Sequence, residues 1–283
     1  MKNVTLLNGR SVPCMGQGTW YLGDNPSTRE EEIKALRTGI ESGMTLIDTA
    51  EMYGNGRSEC LVGEAITSYN REDIFLVSKV LPQNAGKQRM RIACENSLKR
   101  LGVDTLDLYL YHWRGSIPLR ETVEELEKLK ELGMIRDWGV SNLDIDDMEE
   151  LSKYDKKNHC QVNQVLYHMA SRGIEYSLLP WMRKQKIALM SYCPLAQAGS
   201  LKRGLFTNKT LNEIAKGHDA TVAQILLAWN IRGEGTIAIP RTGKMEHTLE
   251  NAKATTINLS KEELELIDSI YPAPNHKVWL DMQ

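Results

Sequence analysis

Short apolar runs alternate with segments of helical spacing along almost the whole chain. Each run predicts a strand, and after it apolar residues recur every three or four positions, as in an amphipathic helix. Strand–helix units with short connections predict a parallel sheet, and eight is the number that closes a barrel. The eight runs are Met15–Thr19, Thr45–Asp48, Ile74–Lys79, Leu106–His112, Trp138–Ser141, Val162–Leu166, Ala188–Tyr192 and Thr236–Ile239.

The helical segments carry their own start and stop signals. Ser27–Glu30 fits a capping box before the first helix, and Ser58 is placed to cap the second, Ser58–Thr67. Gly102 and Gly133 stand where left-handed C-caps end the next two helices. The later predicted segments are helices over Leu119–Leu132, Ile145–Leu151, Ile174–Gln185, Leu211–Lys216, Val222–Ile231, Glu246–Ala252 and Lys261–Ile270, and a loop over Pro194–Leu205.

Ahead of the first run, Asn8 and Gly9 separate two short β-type segments and predict a hairpin. No linker or low-complexity segment interrupts the rest of the chain. We therefore expect an α/β fold: one (β/α)8 TIM-barrel domain over residues 1–283, with an N-terminal β-hairpin and extra C-terminal helices. The alternative is an open doubly wound sheet, but no Gly-x-Gly-x-x-Gly follows any predicted strand.

Composition narrows the function classes. The chain has 283 residues, 41% hydrophobic and 25% charged, with a formal net charge of -2, which is ordinary for a soluble globular protein. It shows no basic tract for nucleic acid, no run long enough to span a bilayer and no convincing secretion signal. Its five cysteines are scattered without a Cys-x-x-Cys pair, which disfavours disulfides and zinc. We expect a cytoplasmic monomer with no metal, nucleic-acid or membrane partner.

Polar residues stand at or just after the ends of three successive predicted strands. They are Asp48, Tyr53, Lys79 and His112. An ionisable group in such a place is costly unless it is paired or used. Because the carboxyl ends of barrel strands form the catalytic face, we expect these four side chains to share one site.

The four residue types fit one reaction. A tyrosine hydroxyl, with an ordinary pKa of about 10, is a weak acid unless a neighbouring cation stabilises its phenolate. Lys79 can supply that cation, Asp48 can hold it, and a neutral His112 can donate to a carbonyl oxygen. This set suits protonation of an oxygen while hydride reaches its carbon. Each residue alone is more often capping or solvated, and a packed core histidine explains His112 equally well.

The chain resembles the aldo-keto reductases along nearly its whole length. The segments that carry the resemblance are LIDTAEMYGNGRSECLVGEAI, VSKV, SLKRLGVDTLDLYLYHW, IRDWGVSN and CQVNQVLYH. The resemblance implies a reductase of a small-molecule carbonyl substrate that uses NADPH, with NADH as a second cofactor. It also implies that Tyr53 is the proton donor, that Lys79 and Asp48 tune the acidity of Tyr53, and that His112 orients the carbonyl.

The resemblance also implies the cofactor and substrate residues. Tyr192 matches the ring that stacks on the nicotinamide. Ser141 and Gln164 match positions that hold the nicotinamide amide. Without the resemblance, Ser141 would be interpreted as a helix cap and Gln164 as a polar strand residue. Trp20 and Trp113 match pocket-wall aromatics, and the alternative for Trp113 is that it only covers the barrel mouth. The expected cofactor-binding residues are Gly18, Thr19, Trp20, Ser141, Asn142, Gln164, Tyr192, Pro194, Leu195, Gln197, Ile239, Arg241, Thr242, His247, Glu250 and Asn251.

Two departures from the family pattern refine the expectation. Arg241 replaces a lysine that binds the adenosine 2′-phosphate, and His247 stands where an arginine is common, which weakens strict NADPH preference. The short tail YPAPNHKVWLDMQ implies an open pocket for small aldehydes. This tail and the segment QVLYHMASRGIEYSLLPW look most like bacterial reductases of methylglyoxal and similar small dicarbonyls. The alternative function is a non-catalytic nicotinamide-sensing subunit on the same barrel.

Overall fold

The structure, a computed structural model, describes residues 1–196 and 200–283. Its strands are β1 (Asn3–Thr5), β2 (Ser11–Pro13), β3 (Gln17–Gly18), β4 (Leu46–Asp48), β5 (Phe75–Val80), β6 (Leu106–Tyr111), β7 (Ile135–Ser141), β8 (Cys160–Leu166), β9 (Ala188–Tyr192) and β10 (Thr236–Ala238). Its helices are α1 (Arg29–Glu41), α2 (Arg57–Ile66), α3 (Arg89–Leu101), α4 (Leu119–Glu131), α5 (Ile145–Ser152), α6 (Leu178–Gln185), α7 (Ser200–Thr207), α8 (Lys209–Gly217), α9 (Val222–Asn230), α10 (Met245–Lys253) and α11 (Lys261–Ile270).

Strands β3 to β10 form one parallel sheet in sequence order, as a (β/α)8 barrel requires. The first and last strands meet as well, because Met15 pairs with Ala238 and Gly18 pairs with Arg241. Gly18 permits this close approach, since a Cβ there would lie 2.8 Å from the Ile239 carbonyl oxygen. The predicted barrel is confirmed.

Alternation along each strand separates two cores. Phe75 and Val77 of β5 belong to the apolar cluster inside the barrel, whereas Leu76 and Val80 pack against the outer helices. Because side chains of a strand point alternately to opposite faces, Lys79 takes the next interior position after Val77. A charged group therefore sits at the end of an otherwise apolar interior row.

The predicted hairpin is confirmed as β1 and β2, and it closes the N-terminal end of the barrel. Gly9, with φ 87°, makes the turn. Val4, Leu6 and Val12 join the interior cluster, so this end of the barrel is filled by apolar side chains.

Carboxylates at the same end are held by several cations. The fully buried Asp107 lies 2.7 Å from both Arg10 and Arg71 and 3.6 Å from Arg136. Asp137 accepts hydrogen bonds from Lys130 at 2.8 Å and from Asn8 at 2.6 Å. The hairpin and these cations leave Asp107 fully buried and Asp137 only 3% exposed.

Some predicted local signals were right and others were wrong. Gly102 and Gly133 do adopt left-handed conformations after α3 and α4. The capping box at Ser27–Glu30 was wrong, because Asn25 caps a short 3-10 turn there and the Thr28 hydroxyl donates to Glu32.

The other errors concern where helices begin. The predicted cap at Ser58 was wrong, since α2 starts at Arg57 and Ser58 lies inside its first turn. The loop over Pro194–Leu205 contains the start of α7, and the helix predicted over Ile174–Gln185 is split into a 3-10 turn and α6. Among the described residues, no helix is long and apolar enough to cross a membrane.

Candidate active site

A cavity of about 450 Å³ opens at the carboxyl ends of the barrel strands. It gathers most of the predicted site residues on one surface, and Lys79 lies fully buried beneath it. The predicted residues that line it are Gly18, Thr19, Trp20, Asp48, Tyr53, His112, Trp113, Ser141, Asn142, Gln164, Tyr192, Pro194, Leu195, Ile239 and Arg241. Thr242, His247, Glu250 and Asn251 lie outside this lining, on or just before α10, and Gln197 lies outside the described residues.

Three oxygen atoms surround the Lys79 ammonium at the floor of the cavity. Lys79 Nζ donates to Asp48 Oδ2 at 2.7 Å, to the Thr49 carbonyl at 2.9 Å and to the Tyr53 hydroxyl at 3.0 Å. All three ammonium hydrogens are therefore used. The strands set this arrangement, because the register pairs Asp48 with Val77 and brings the next interior residue, Lys79, beside it.

Burial controls the protonation of this group. Burial raises the pKa of Tyr53 well above its usual range, and the Asp48 carboxylate adds to the effect, so the phenol keeps its proton at neutral pH. Burial also lowers the pKa of Lys79, which Asp48 opposes by charge and hydrogen bonding. Together these effects leave a neutral phenol touching a paired ammonium, which is placed to stabilise the phenolate once the proton leaves.

His112 follows β6 and faces the same cavity. Burial, aided by the nearby Lys79 charge, lowers its pKa to about 2, so the imidazole is neutral at physiological pH. Its ring meets the Tyr53 ring edge-on at 5.9 Å between centroids. A neutral imidazole carries one N–H donor, and the ring that carries it lies beside the phenol that would lose a proton.

Carboxamide groups form the next part of the cavity wall. Gln164 Nε2 donates to Asp48 Oδ1 at 2.7 Å, and Asn142 Nδ2 donates to the His112 carbonyl at 3.2 Å. The Tyr192 hydroxyl donates to Asn142 Oδ1 at 2.8 Å. Ser141 is not the cap of α5, because Asp144 fills that position. These polar groups, the Tyr192 ring and the Arg241 cation fit the amide, ring and phosphate of a nicotinamide dinucleotide.

Aromatic side chains form the rim. The Trp20 ring stacks 4.7 Å from Tyr21 and 6.3 Å from Tyr53, while Trp113 lies 4.7 Å from His112. The Arg241 guanidinium lies 5.9 Å from the centre of the Tyr21 ring. An apolar rim above a polar floor suits a small carbonyl compound whose oxygen must reach Tyr53.

Several cavity residues were not predicted from the sequence: Tyr21, Met52, Cys193, Ala196, Lys202, Pro240, Met282 and Gln283. Tyr21 follows the predicted Trp20 directly, so neighbourhood alone would have found it. Gln283 is different, because it accepts from the Cys193 thiol at 2.9 Å across 90 positions of sequence. A hydrogen bond from Ser171 to Asp281 ties the same tail to the loop after β8. No sequence pattern marks these tail contacts.

The chain is similar to known proteins along almost its whole length. A profile described as the Aldo/keto reductase family matches residues 14–272. The chain is 54% identical to methylglyoxal reductase YeaE of Escherichia coli K12, covering 96% of this chain and 95% of that one. It is 36% identical to glyoxal reductase of Bacillus subtilis 168, over 94% and 92% of the two chains. An aldo-keto reductase of Klebsiella pneumoniae, solved in complex with NADPH, superposes with a TM-score of 0.97 at 53% identity and covers 100% of this chain and 99% of its own.

Proposed function

Since the chain belongs to the aldo/keto reductase family, we propose that it reduces small aldehydes and ketones to alcohols with NADPH, and methylglyoxal and other α-dicarbonyls above all. The observation that carries this proposal is the contact of Lys79 with both Asp48 and Tyr53 on the floor of an open cavity. The names of the two bacterial relatives support the substrate class.

The residues of the chain supply the acid chemistry of the reaction. NADPH, when bound, supplies the hydride. Tyr53 gives its proton to the carbonyl oxygen, and the Lys79 ammonium stabilises the phenolate that remains. His112, which is neutral, donates a hydrogen bond that orients the same oxygen. Asp48 holds Lys79 charged in a place where burial alone would favour its neutral form.

The cofactor end of the site supports NADPH. Structural relatives of this chain were solved with NADPH or NADP. In this chain we assign the nicotinamide amide to Ser141, Asn142 and Gln164, its ring to Tyr192, and the 2′-phosphate to Arg241. Thr242, His247, Glu250 and Asn251 keep their predicted adenosine-side roles, and use of NADH as a second cofactor stays a prediction.

A substrate panel tests the proposal. The protein is mixed with methylglyoxal, glyoxal and simple aldehydes and ketones, and oxidation of NADPH or NADH is followed by absorbance at low and high salt. We expect fastest turnover with the dicarbonyls and NADPH. Salt should weaken NADPH binding more than NADH binding, because screening acts on the Arg241–phosphate contact. No turnover with any carbonyl would favour the non-catalytic sensing subunit. Equal effects of salt on NADPH and NADH binding would contradict the assignment of the 2′-phosphate to Arg241.

A cytoplasmic location and a monomeric state stay predictions from the sequence. The reductase proposal needs neither, because all four reaction residues meet within one chain. That meeting also favours the enzyme over the sensing subunit, which would have no use for a tuned proton donor.

A further inference from the structure

Three fully buried hydroxyl groups form a hydrogen-bonded chain at the Asp48–Thr49 segment, whose oxygen atoms bind Lys79. They belong to Thr19, Thr49 and Ser58, each with 0% of its surface exposed. Thr49 Oγ1 donates to Ser58 Oγ at 3.2 Å, and Ser58 Oγ donates to Thr19 Oγ1 at 2.7 Å. Thr19 Oγ1 then donates to the Asp48 carbonyl at 2.9 Å. Because Asp48 and Thr49 are consecutive, the chain of hydroxyls closes into a ring.

The ring includes the segment whose two oxygen atoms bind Lys79. The Asp48–Thr49 segment offers both the Asp48 carboxylate and the Thr49 carbonyl to Lys79, at 2.7 and 2.9 Å. A shift of this segment would move the ammonium relative to the Tyr53 hydroxyl. The ring is anchored in a regular element, because Ser58 lies in the first turn of α2, whose Leu61 and Val62 are fully buried.

The ordinary roles of a serine near a helix start do not account for Ser58. It lies inside α2 rather than before it, and no side-chain cap bond is made at that helix end. Its hydroxyl instead reaches across 39 positions to Thr19. Ser97, a buried serine on the next helix, instead accepts a long bond of 3.3 Å from Arg100, three positions further along the same helix.

We infer that Ser58 is a positioning residue for carbonyl reduction: through Thr19 and Thr49 it fixes the oxygens that hold Lys79 against Tyr53. The inference rests on the proposed function, in which Tyr53 is the proton donor. It assigns to Ser58 no contact with cofactor or substrate.

The first test replaces Ser58 by alanine, with Ser97→Ala as the matched loss of a buried helix hydroxyl. We expect Ser58→Ala to lower kcat for methylglyoxal about tenfold, because small misplacements of reacting groups are costly. KM and the Kd for NADPH should stay within about twofold, since no binding contact is removed. Ser97→Ala should melt earlier while its kcat stays at the wild-type value. Equal kcat in the two variants would overturn the inference.

A pair of substitutions at Thr49 separates positioning from stability. Thr49→Val keeps the volume and removes the hydroxyl, whereas Thr49→Ser keeps the hydroxyl and removes a buried methyl. If the ring positions Lys79, kcat follows the hydroxyl, and the serine variant is fast although it melts earlier. A merely structural role makes kcat fall with melting temperature in both. This pair decides the question even if Ser58→Ala does not fold.

Tyr53→Phe is assayed alongside to keep the two proposals apart. Turnover retained in Tyr53→Phe would overturn the proposed function itself. An inactive Tyr53→Phe combined with a Ser58→Ala as fast as Ser97→Ala would overturn only the role of Ser58. The expected result is loss in Tyr53→Phe and a partial, kcat-only loss in Ser58→Ala.

Discussion

The two ends of the barrel both bury charged pairs, but they use them differently. At the N-terminal end, Asp107 is 0% exposed and is surrounded by Arg10, Arg71 and Arg136 beneath the hairpin. At the other end, Asp48 and Lys79 are 2% and 0% exposed, so burial alone does not distinguish the two ends.

The two ends differ in the groups that the buried charges contact. The carboxylate of Asp107 is bound by three arginines and by the Leu76 backbone N–H, and all of these partners support the fold. Lys79 instead directs one donor to Tyr53, whose hydroxyl lines a cavity of about 450 Å³. A buried ion pair thus marks a reactive site when one of its partners is also the neighbour of an accessible acid, and otherwise it marks a structural support.

The largest effect is expected for Tyr53→Phe. Removal of the proposed proton donor should lower kcat about 10³-fold, or about 4 kcal/mol of transition-state stabilisation, which is the middle of the range for acid catalysis. NADPH affinity, measured by fluorescence titration, should change little, because the hydroxyl acts on the transition state. Tyr109→Phe, a fully buried phenol outside the cavity lining, is the control and should keep wild-type turnover. Substantial residual activity in Tyr53→Phe would mean that another group donates the proton.

The opposite end should show the reverse pattern. Asp107→Asn leaves three arginines without their shared carboxylate and should lower the free energy of unfolding by about 3 kcal/mol. Urea denaturation measures this loss, and kcat of the folded protein should stay unchanged. Asp146→Asn, whose side chain is 78% exposed, should cost less than about 0.5 kcal/mol. A fall in kcat without a loss of stability would erase the distinction between the two ends.

The smallest effect concerns pH. The folded pKa of His112 is about 2, so below its unfolded value of 6.5 only the unfolded chain takes up the proton. Stability is therefore lost as pH falls from 6.5, by about 2 kcal/mol at pH 5 if this group acts alone. Urea denaturation at pH 7 and pH 5 should show a smaller acid loss in His112→Gln than in wild type.

His247→Gln is the control for that pH effect, because the side chain of His247 is 53% exposed. It should retain the full wild-type dependence. Identical acid losses in wild type and His112→Gln would mean that folding does not lower the pKa of His112, so that the folded imidazole would also take up a proton at pH 5.

The sequence could predict what strand topology dictates. Asp48, Lys79 and His112 were found because parallel strands bring their carboxyl ends together. The start of β7 at Ile135 was missed, because Arg136 and Asp137 interrupt the apolar run. Only the charged partners at the hairpin end explain why Asp137 is buried. Long-range contacts account for the failures at Ser58 and in the tail.

Two of those contacts decide details of the site. Ser58 was predicted as a cap because its local neighbourhood fits one, yet its partner Thr19 lies 39 positions away. The approach of Gln283 to Cys193 depends on the path of the whole tail. Both contacts depend on which elements meet after folding, and the periodicity of the sequence does not predict which elements meet.

The position of the tail has a practical consequence for handling the protein. An affinity tag or fusion partner joined after Gln283 would start at the cavity wall, beside Met282 and Cys193. One joined before Met1 would start next to β1, at the hairpin end of the barrel. Substrate preferences measured on a C-terminally tagged protein would describe an altered pocket, so N-terminal tagging with cleavage is the sound choice for every assay above.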